Sequence, residues 1–344
     1  MTTRKTGWRW GVLGVLLALV PLSAGTEALA ATVVRAVKVD RGPEVDGRVD
    51  KVWNKTSAVK VVVDTGDPGR IKVSLKALYD AENVYFLVRW QDETQNLFFQ
   101  PWEYDGEEWV QSDEEDDRLA FAWNISSPAF PAAGCYGLCH VSKEPEVDGA
   151  TPNDMWTNQP GEKVDLWDWS SGVTNPLGYA RDFAIDCIDF KEFVVAHPDR
   201  KTTGRRPDGE VEAKGRLMLP NVNVMDDGPQ FAPLPRERAQ GPFIIVRGPG
   251  SVLDTEGLEF KKGDRVTGIV LPGKIPADLR GHLTAKGIHR KGRWVLEIKR
   301  PLVTGEPDDV QFEVGKQYHF GIAVFDRTDK HSISLQPLQF QLRR

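Results

Sequence analysis

Cysteine is nearly absent from this chain: Cys135, Cys139 and Cys187 are the three among 344 residues. A chain of this length builds a large core without a disulfide framework, and an odd count leaves one thiol outside any pairing. The phosphate-loop and H-E-x-x-H signatures are missing, and no nucleophile–base spacing stands out, so no independent catalytic signature is visible. No internal repeat is evident. Beyond the first thirty residues there is no apolar run near the ~20 residues that a membrane span needs. Basic residues are in deficit, 44 against 50 acidic, for a net charge of −6. That balance argues against a nucleic-acid partner and suits a protein that meets a basic partner face.

What is present begins at the amino end. Arg4, Lys5 and Arg9 precede an apolar run from Gly11 to Leu22, and Ala28-Leu29-Ala30 forms a small-residue cleavage site. This order predicts a secretory signal peptide over residues 1–30, an exported (periplasmic) location and a single mature domain over 31–344. No transmembrane segment is expected after cleavage.

Strand patterns dominate that domain. Ile71, Val73, Leu75, Ala77 and Tyr79 alternate with polar residues, and "NVYFLVRWQ" (83–91) follows after a short "DAE" turn, which predicts a hairpin. "RLAFAWN" (118–124) and "GRWVLEIKR" (292–300) read as further strands. "QYHFGIAVFD" (317–326) and "SISLQPLQFQL" (332–342) read as a closing pair. Convincing amphipathic helices are few. The expectation is an all-β fold, an antiparallel β-sandwich with sheets assembled from both ends of the chain and a long irregular insertion at about 128–250.

The insertion opens on "GCYGLCHV" (134–141). Two thiols followed by a histidine describe covalent haem attachment: Cys135 and Cys139 add to the vinyl groups, and His140 becomes the proximal iron ligand. The usual spacing is C-x-x-C-H, and here one extra residue intervenes. A local disulfide and a zinc site lacking its fourth ligand are the competing readings. For the opposite face of the iron the sequence offers His197, His282, His289, His319 and His331, with Met155, Met218 and Met225.

Three other stretches carry candidate chemistry. "DMWTNQPGEKVDLWDWSSG" (154–172) reads as a loop whose Trp156, Trp167 and Trp169 either wall a haem pocket or form a satellite core. "PEVDGRVDKVWNKTS" (43–57) reads as a turn with a core tryptophan closing the sandwich, with sugar binding as the functional alternative. "SDEEDDRLAF" (112–121) reads as a solvated turn before a strand, with calcium binding the less favoured alternative.

"VDGRVDKVW", "ALYDAENVYFLVRWQD", "DDRLAFAWN", "DLWDW", "RWVLEIKRPLVTGEPDDVQF" and "YHFGIAVFDRTDKHSISL" occur in this order. Their succession resembles the haem-binding domain of ethylbenzene dehydrogenase type, which is similar to the γ subunit of type II dimethyl sulfoxide reductase-like molybdenum enzymes. The resemblance implies a β-sandwich holding one haem for electron transfer, beside a redox partner such as molybdopterin and iron–sulfur subunits. In the γ subunits the haem is b-type, held by Met and Lys. Cys135, Cys139 and His140 depart from that and resemble a covalent haem c branch. The γ-subunit lysine lies just before the last strand, where this chain carries Lys330 and His331. The resemblance therefore implies His331 as distal ligand, with Lys330 and Met155 as alternatives. Relatives often carry "DLWHW", and Asp168 replaces that histidine here. A haem-free exported carbohydrate-binding module is the alternative function, and Cys187 has no assigned role.

Overall fold

The alternation that predicts strands is realised in a computed structural model. It describes residues 32–140, 155–186, 259–272 and 282–344 except Asp329, together with short strands at 205–207, 219–220 and 244–246. The predicted signal peptide and Cys187, His197, Met218 and Met225 lie outside the described residues. All described residues belong to one compact unit, Ala31–Arg344.

The amino-terminal part supplies β1 (Val33–Lys38), β2 (Val59–Asp64), β3 (Ile71–Tyr79), β4 (Asn83–Gln91), β5 (Trp102–Tyr104), β6 (Trp109–Gln111) and β7 (Arg118–Asn124). The middle supplies β8 (Cys139–His140), β9 (Met155–Trp156), β10 (Lys163–Ser170), β11 (Arg181–Asp186), β12 (Arg205–Pro207), β13 (Leu219–Pro220) and β14 (Ile244–Val246). The carboxy-terminal part supplies β15 (Arg265–Val266), β16 (Ile269–Pro272), β17 (Thr284–His289), β18 (Arg293–Pro301), β19 (Gln317–Phe325), β20 (Ser332–Ser334) and β21 (Leu338–Leu342). Among the described residues the one α-helix is a single turn, α1 (Phe130–Ala133), and no helix is long and apolar enough to cross a membrane.

Thirteen strands form one continuous ladder that folds on itself into a sandwich. One wall runs β2-β3-β4-β18-β17 and the other β12-β11-β10-β7-β19. Two ribbons join the walls. β20 bridges β19 to β2, and β21 bridges β19 to β1, which runs parallel beside β3. The β3–β4 hairpin is closed by Asp80, whose Oδ1 accepts from the Glu82 and Asn83 amides at 2.9 and 2.8 Å. The expected closing pair is present, but its second member is split. Ser332–Ser334 and Leu338–Leu342 pair with opposite ends of β19.

Between the walls lies an aromatic core. Phe86, Phe121, Trp123, Trp167, Phe312, Phe320 and Phe340 are buried together, and Trp123 stacks on Phe320 with ring centroids 4.5 Å apart. Each such side chain contributes about 1.5–3 kcal/mol through burial. Trp53 does not close the end of this core as its sequence context suggests: it packs on the outer face of the first wall with Val39, Leu78, Tyr85 and Leu87, and donates its Nε1 proton to the buried Glu297 Oε1 at 2.8 Å.

Two further expectations are corrected. The segment holding Trp167 and Trp169 is strand β10, in the second wall, and both indoles sit in the core between the walls. They neither form a satellite core nor wall a pocket on the outer face, because strand alternation turns Leu166 and Asp168 outward instead. The acidic run is not a solvated turn either. Glu115, Asp116 and Asp117 are buried. Asp116 accepts from Ser170 Oγ and from the Gly172 amide at 2.7 Å, bracing the end of β10 against the start of β7.

Candidate functional site

The second wall is apolar on both faces. β7 reads Leu119-Ala120-Phe121-Ala122-Trp123: Phe121 and Trp123 enter the core, and the small Ala120 and Ala122 face outward. Ala122 pairs with Gly321 of β19 and Ala120 with Ala323. Across β10, Ala122 meets Leu166 and Ala120 meets Asp168. Four small residues on two adjacent strands leave a flat apolar floor where bulky side chains would ordinarily stand.

That floor belongs to a pocket of about 250 Å³. Cys135, Leu138, Phe99, Phe325, His331 and Ile333 wall it, and Glu115, Arg118, Asp168 and Arg181 bring charge to its edge. Cys135 and His331 thus line the same pocket, although 196 positions separate them in sequence.

Cys135 arrives on a short 3-10 turn, Gly134–Gly137, that follows α1. Leu138 donates its amide proton to the Cys135 carbonyl at 3.1 Å, and Asn158 Nδ2 donates to the Gly137 carbonyl at 2.6 Å, which pins the turn. Burial pushes the Cys135 thiol up to about 12, so it is held neutral. The chain then enters β8, antiparallel to β9. Cys139 stands opposite Trp156, and His140 stands opposite Met155. The ladder therefore sets the second cysteine, the predicted proximal histidine and one predicted distal candidate on two neighbouring rungs. Just after β9, Thr157 donates its amide proton to Asp186 at the end of β11, tying this hairpin to the wall.

His331 lies in the turn before β20, its ring 4.7 Å from that of Phe325, and the Arg118 guanidinium covers the other ring contact of Phe325 at 4.5 Å. Lys330 goes elsewhere. Its side chain is 69% exposed, and Nζ lies 3.3 Å from Asp67 Oδ2. Asp168, at the position where the resembled family often carries histidine, reaches Arg181 Nη2 at 2.6 Å. Of the other histidines, His289 meets the Asp92 carbonyl at 2.9 Å through Nε2, and His319 is a half-buried member of β19 whose pKa burial lowers. Neither they nor His282 line the pocket.

Sequence reasoning missed Arg118, Arg181 and the floor. The signal was available: alanine at 120 and 122, glycine at 321 and alanine at 323 repeat with the period of two that marks one face of a strand. The pocket floor is apolar, and the two guanidinium groups at its edge are each engaged by a carboxylate, Arg118 by Glu115 and Arg181 by Asp168.

The chain is thus a β-sandwich with a pocket let into the outer face of one wall. The ethylbenzene dehydrogenase family matches residues 35–334, and the chain belongs to that family. No curated protein matches it. Solved structures similar to it include a family 9 carbohydrate-binding module from Caldicellulosiruptor kristjanssonii in complex with glucose, at 8% identity and a TM-score of 0.35, covering 90% of this chain and 97% of that one. The cellotriose complex gives 8% identity and a TM-score of 0.34, covering 91% and 95%.

Proposed function

We propose that this protein is an exported monohaem c-type electron-transfer protein that serves as a subunit or redox partner of a periplasmic molybdenum oxidoreductase. The observation that carries the reading is the meeting of Cys135 and His331 in one flat-floored apolar pocket. Family membership supports the molybdenum-enzyme setting, and the predicted export signal supports covalent attachment, which takes place outside the cytoplasm.

The residues present fit the group. Cys135 and Cys139 would hold the porphyrin through thioether bonds and His140 would take the proximal side of the iron. His331 leads for the distal side, ahead of Met155 and Lys330. Ala120, Ala122 and Ala323 offer a small-residue apolar surface toward a planar macrocycle, Gly321 leaves room for the Cys135 sulfur, and Arg118 and Arg181, paired with Glu115 and Asp168, stand at the edge where its carboxylates would lie. Haem c supplies reversible one-electron transfer. The protein's part is to bind it, to keep water from it with Leu138, Phe99 and Phe325, and to set its potential through axial ligand and burial.

The test is a haem stain of the full chain after a denaturing gel, from a host that matures c-type cytochromes, with a pyridine haemochrome spectrum. A band that survives denaturation in the wild type and fades in Cys135→Ser and Cys139→Ser is the expected result. A colourless protein overturns the reading and returns the pocket to a haem-free binding module.

A further inference from the structure

Two groups of three carboxylates occur among the described residues, each with oxygens within 4.8 Å of one another: Asp165, Asp182 and Asp309, and Asp92, Asp117 and Asp326. The first group has its own counter-charge. The fully buried Arg300 lies 3.3 Å from Asp165, 3.9 Å from Asp182 and 2.8 Å from Asp309. The second has none in ion-pair contact among the described residues. The nearest cations are peripheral. His289 acts on Asp92 from a ring that meets the Asp92 carbonyl. Arg327, beside Asp326, points its guanidinium at Glu114, 3.5 Å away.

The second group is built from three strand ends. Asp92 follows β4 in one wall, Asp117 precedes β7 in the other, and Asp326 follows β19 beside it. Asp117 is 0% exposed and Asp92 is also buried. Asp117 Oδ2 accepts from the Asn96 amide at 2.9 Å and from Trp294 Nε1 at 3.0 Å. Asp92 Oδ1 accepts from the Thr94 amide and hydroxyl at 3.1 and 3.3 Å. The other oxygen of each, Oδ1 of Asp117 and Oδ2 of Asp92, is buried and accepts nothing. An unclaimed buried carboxylate oxygen is expensive, and a bound cation would relieve that cost.

We propose that Asp92, Asp117 and Asp326 bind a calcium ion that clamps the two walls of the sandwich together. Every ligand is oxygen, which selects a hard cation. Three strand ends converging irregularly suit the variable coordination of Ca²⁺ better than the strict octahedron of Mg²⁺, with backbone carbonyls or waters completing the shell. A route in exists. Asp326 also lines an open surface recess with Asp67, Asp113 and Glu114, three further carboxylates at its mouth. The clamp would sit one residue from Arg118 and Phe325 of the pocket, so the ion would also fix that edge of the floor.

The full chain, stripped with EGTA and dialysed, is titrated with CaCl₂ by calorimetry and by thermal melting. One Ca²⁺ per chain and a rise in melting temperature of ~5 °C at saturating ion are expected, with a clearly smaller response to MgCl₂. Asp117→Asn should lose the response. Asp326→Asn, at a half-buried position with less at stake for folding, should lose or weaken it at least tenfold in affinity. Absence of both heat and melting shift in the stripped wild type overturns the proposal. So does an equal response to Mg²⁺, or an unchanged Ca²⁺ response in folded Asp326→Asn. None of these readouts depends on haem.

Discussion

Gly321 of β19 lies directly beneath Cys135: a β-carbon at position 321 would stand 2.6 Å from the Cys135 sulfur. The glycine is there to make room for the thiol. Gly321→Ala must push Cys135 off the floor, at the ~1–3 kcal/mol that overpacking typically costs. Denaturant unfolding should show that loss, and the ratio of haem absorbance to protein absorbance should fall. Unchanged stability would show that the turn carrying Cys135 yields without cost.

The sequence neighbours Lys330 and His331 part company in space, one toward Asp67 at the surface and one into the pocket. With haem bound, His331→Ala is expected to shift the oxidised spectrum to high-spin or altered ligation, while Lys330→Ala leaves it unchanged. The reverse pattern would move the distal ligand to Lys330. No change in either variant would move it to Met155, on the rung opposite His140.

Much of the fold was legible because strand alternation and hairpin turns are local signals. β3, β4, β7, β18 and β19 fall close to where the pattern places them. The Trp167–Trp169 segment was harder to read because a strand buried on both faces loses its alternation. Its glycine and aspartate neighbours then suggest a loop. The acidic run misled for a different reason. Charge in sequence reports composition, while Asp116 and Asp117 are buried by what packs on them: Ser170, Gly172 and Trp294 come from elsewhere in the chain. Cysteine and histidine in "CYGLCH" announced a site, but its floor needed the β7–β19 register, and register is a long-range property.

Glu297 gives a pH test. Its two carboxylate oxygens accept from Trp53 Nε1 and the Gly47 amide, yet burial raises it from 4.5 to about 7. The folded protein therefore keeps this proton between pH 4.5 and about 7, a range in which the unfolded chain has released it. Where the folded state binds more protons, stability falls as pH rises. Glu297 therefore contributes a loss of stability on going from pH 4.5 to 7 and nothing further above that. Other carboxylates add slopes of their own, so the measurement is a difference. Unfolding curves of the wild type and Glu297→Gln, taken from pH 5 to 8, should show a gap that changes with pH up to about 7 and then levels. A constant gap would contradict the shift.

Arg300 allows the cost of a buried counter-charge to be measured. It balances Asp165, Asp182 and Asp309, donates to the Val310 carbonyl at 2.7 Å, and packs over the Trp167 ring at 5.2 Å. Burial pushes Asp165 up to about 6 even with Arg300 pulling it down. Arg300→Met keeps the packing over Trp167 and removes the charge, leaving three buried acids to face one another. Breaking a buried ion cluster from one side costs about 3–5 kcal/mol. The variant should therefore lose most of its stability at pH 8. Without the guanidinium the folded-state pKa of Asp165 rises further, so acidification protonates Asp165 in the folded state first. By the same sign argument the deficit shrinks as pH falls from 8 to 5. What survives at pH 5 measures the lost hydrogen bond to Val310. A deficit that stays constant across that range would mean that Arg300 stabilises the wall through packing and hydrogen bonding rather than through charge.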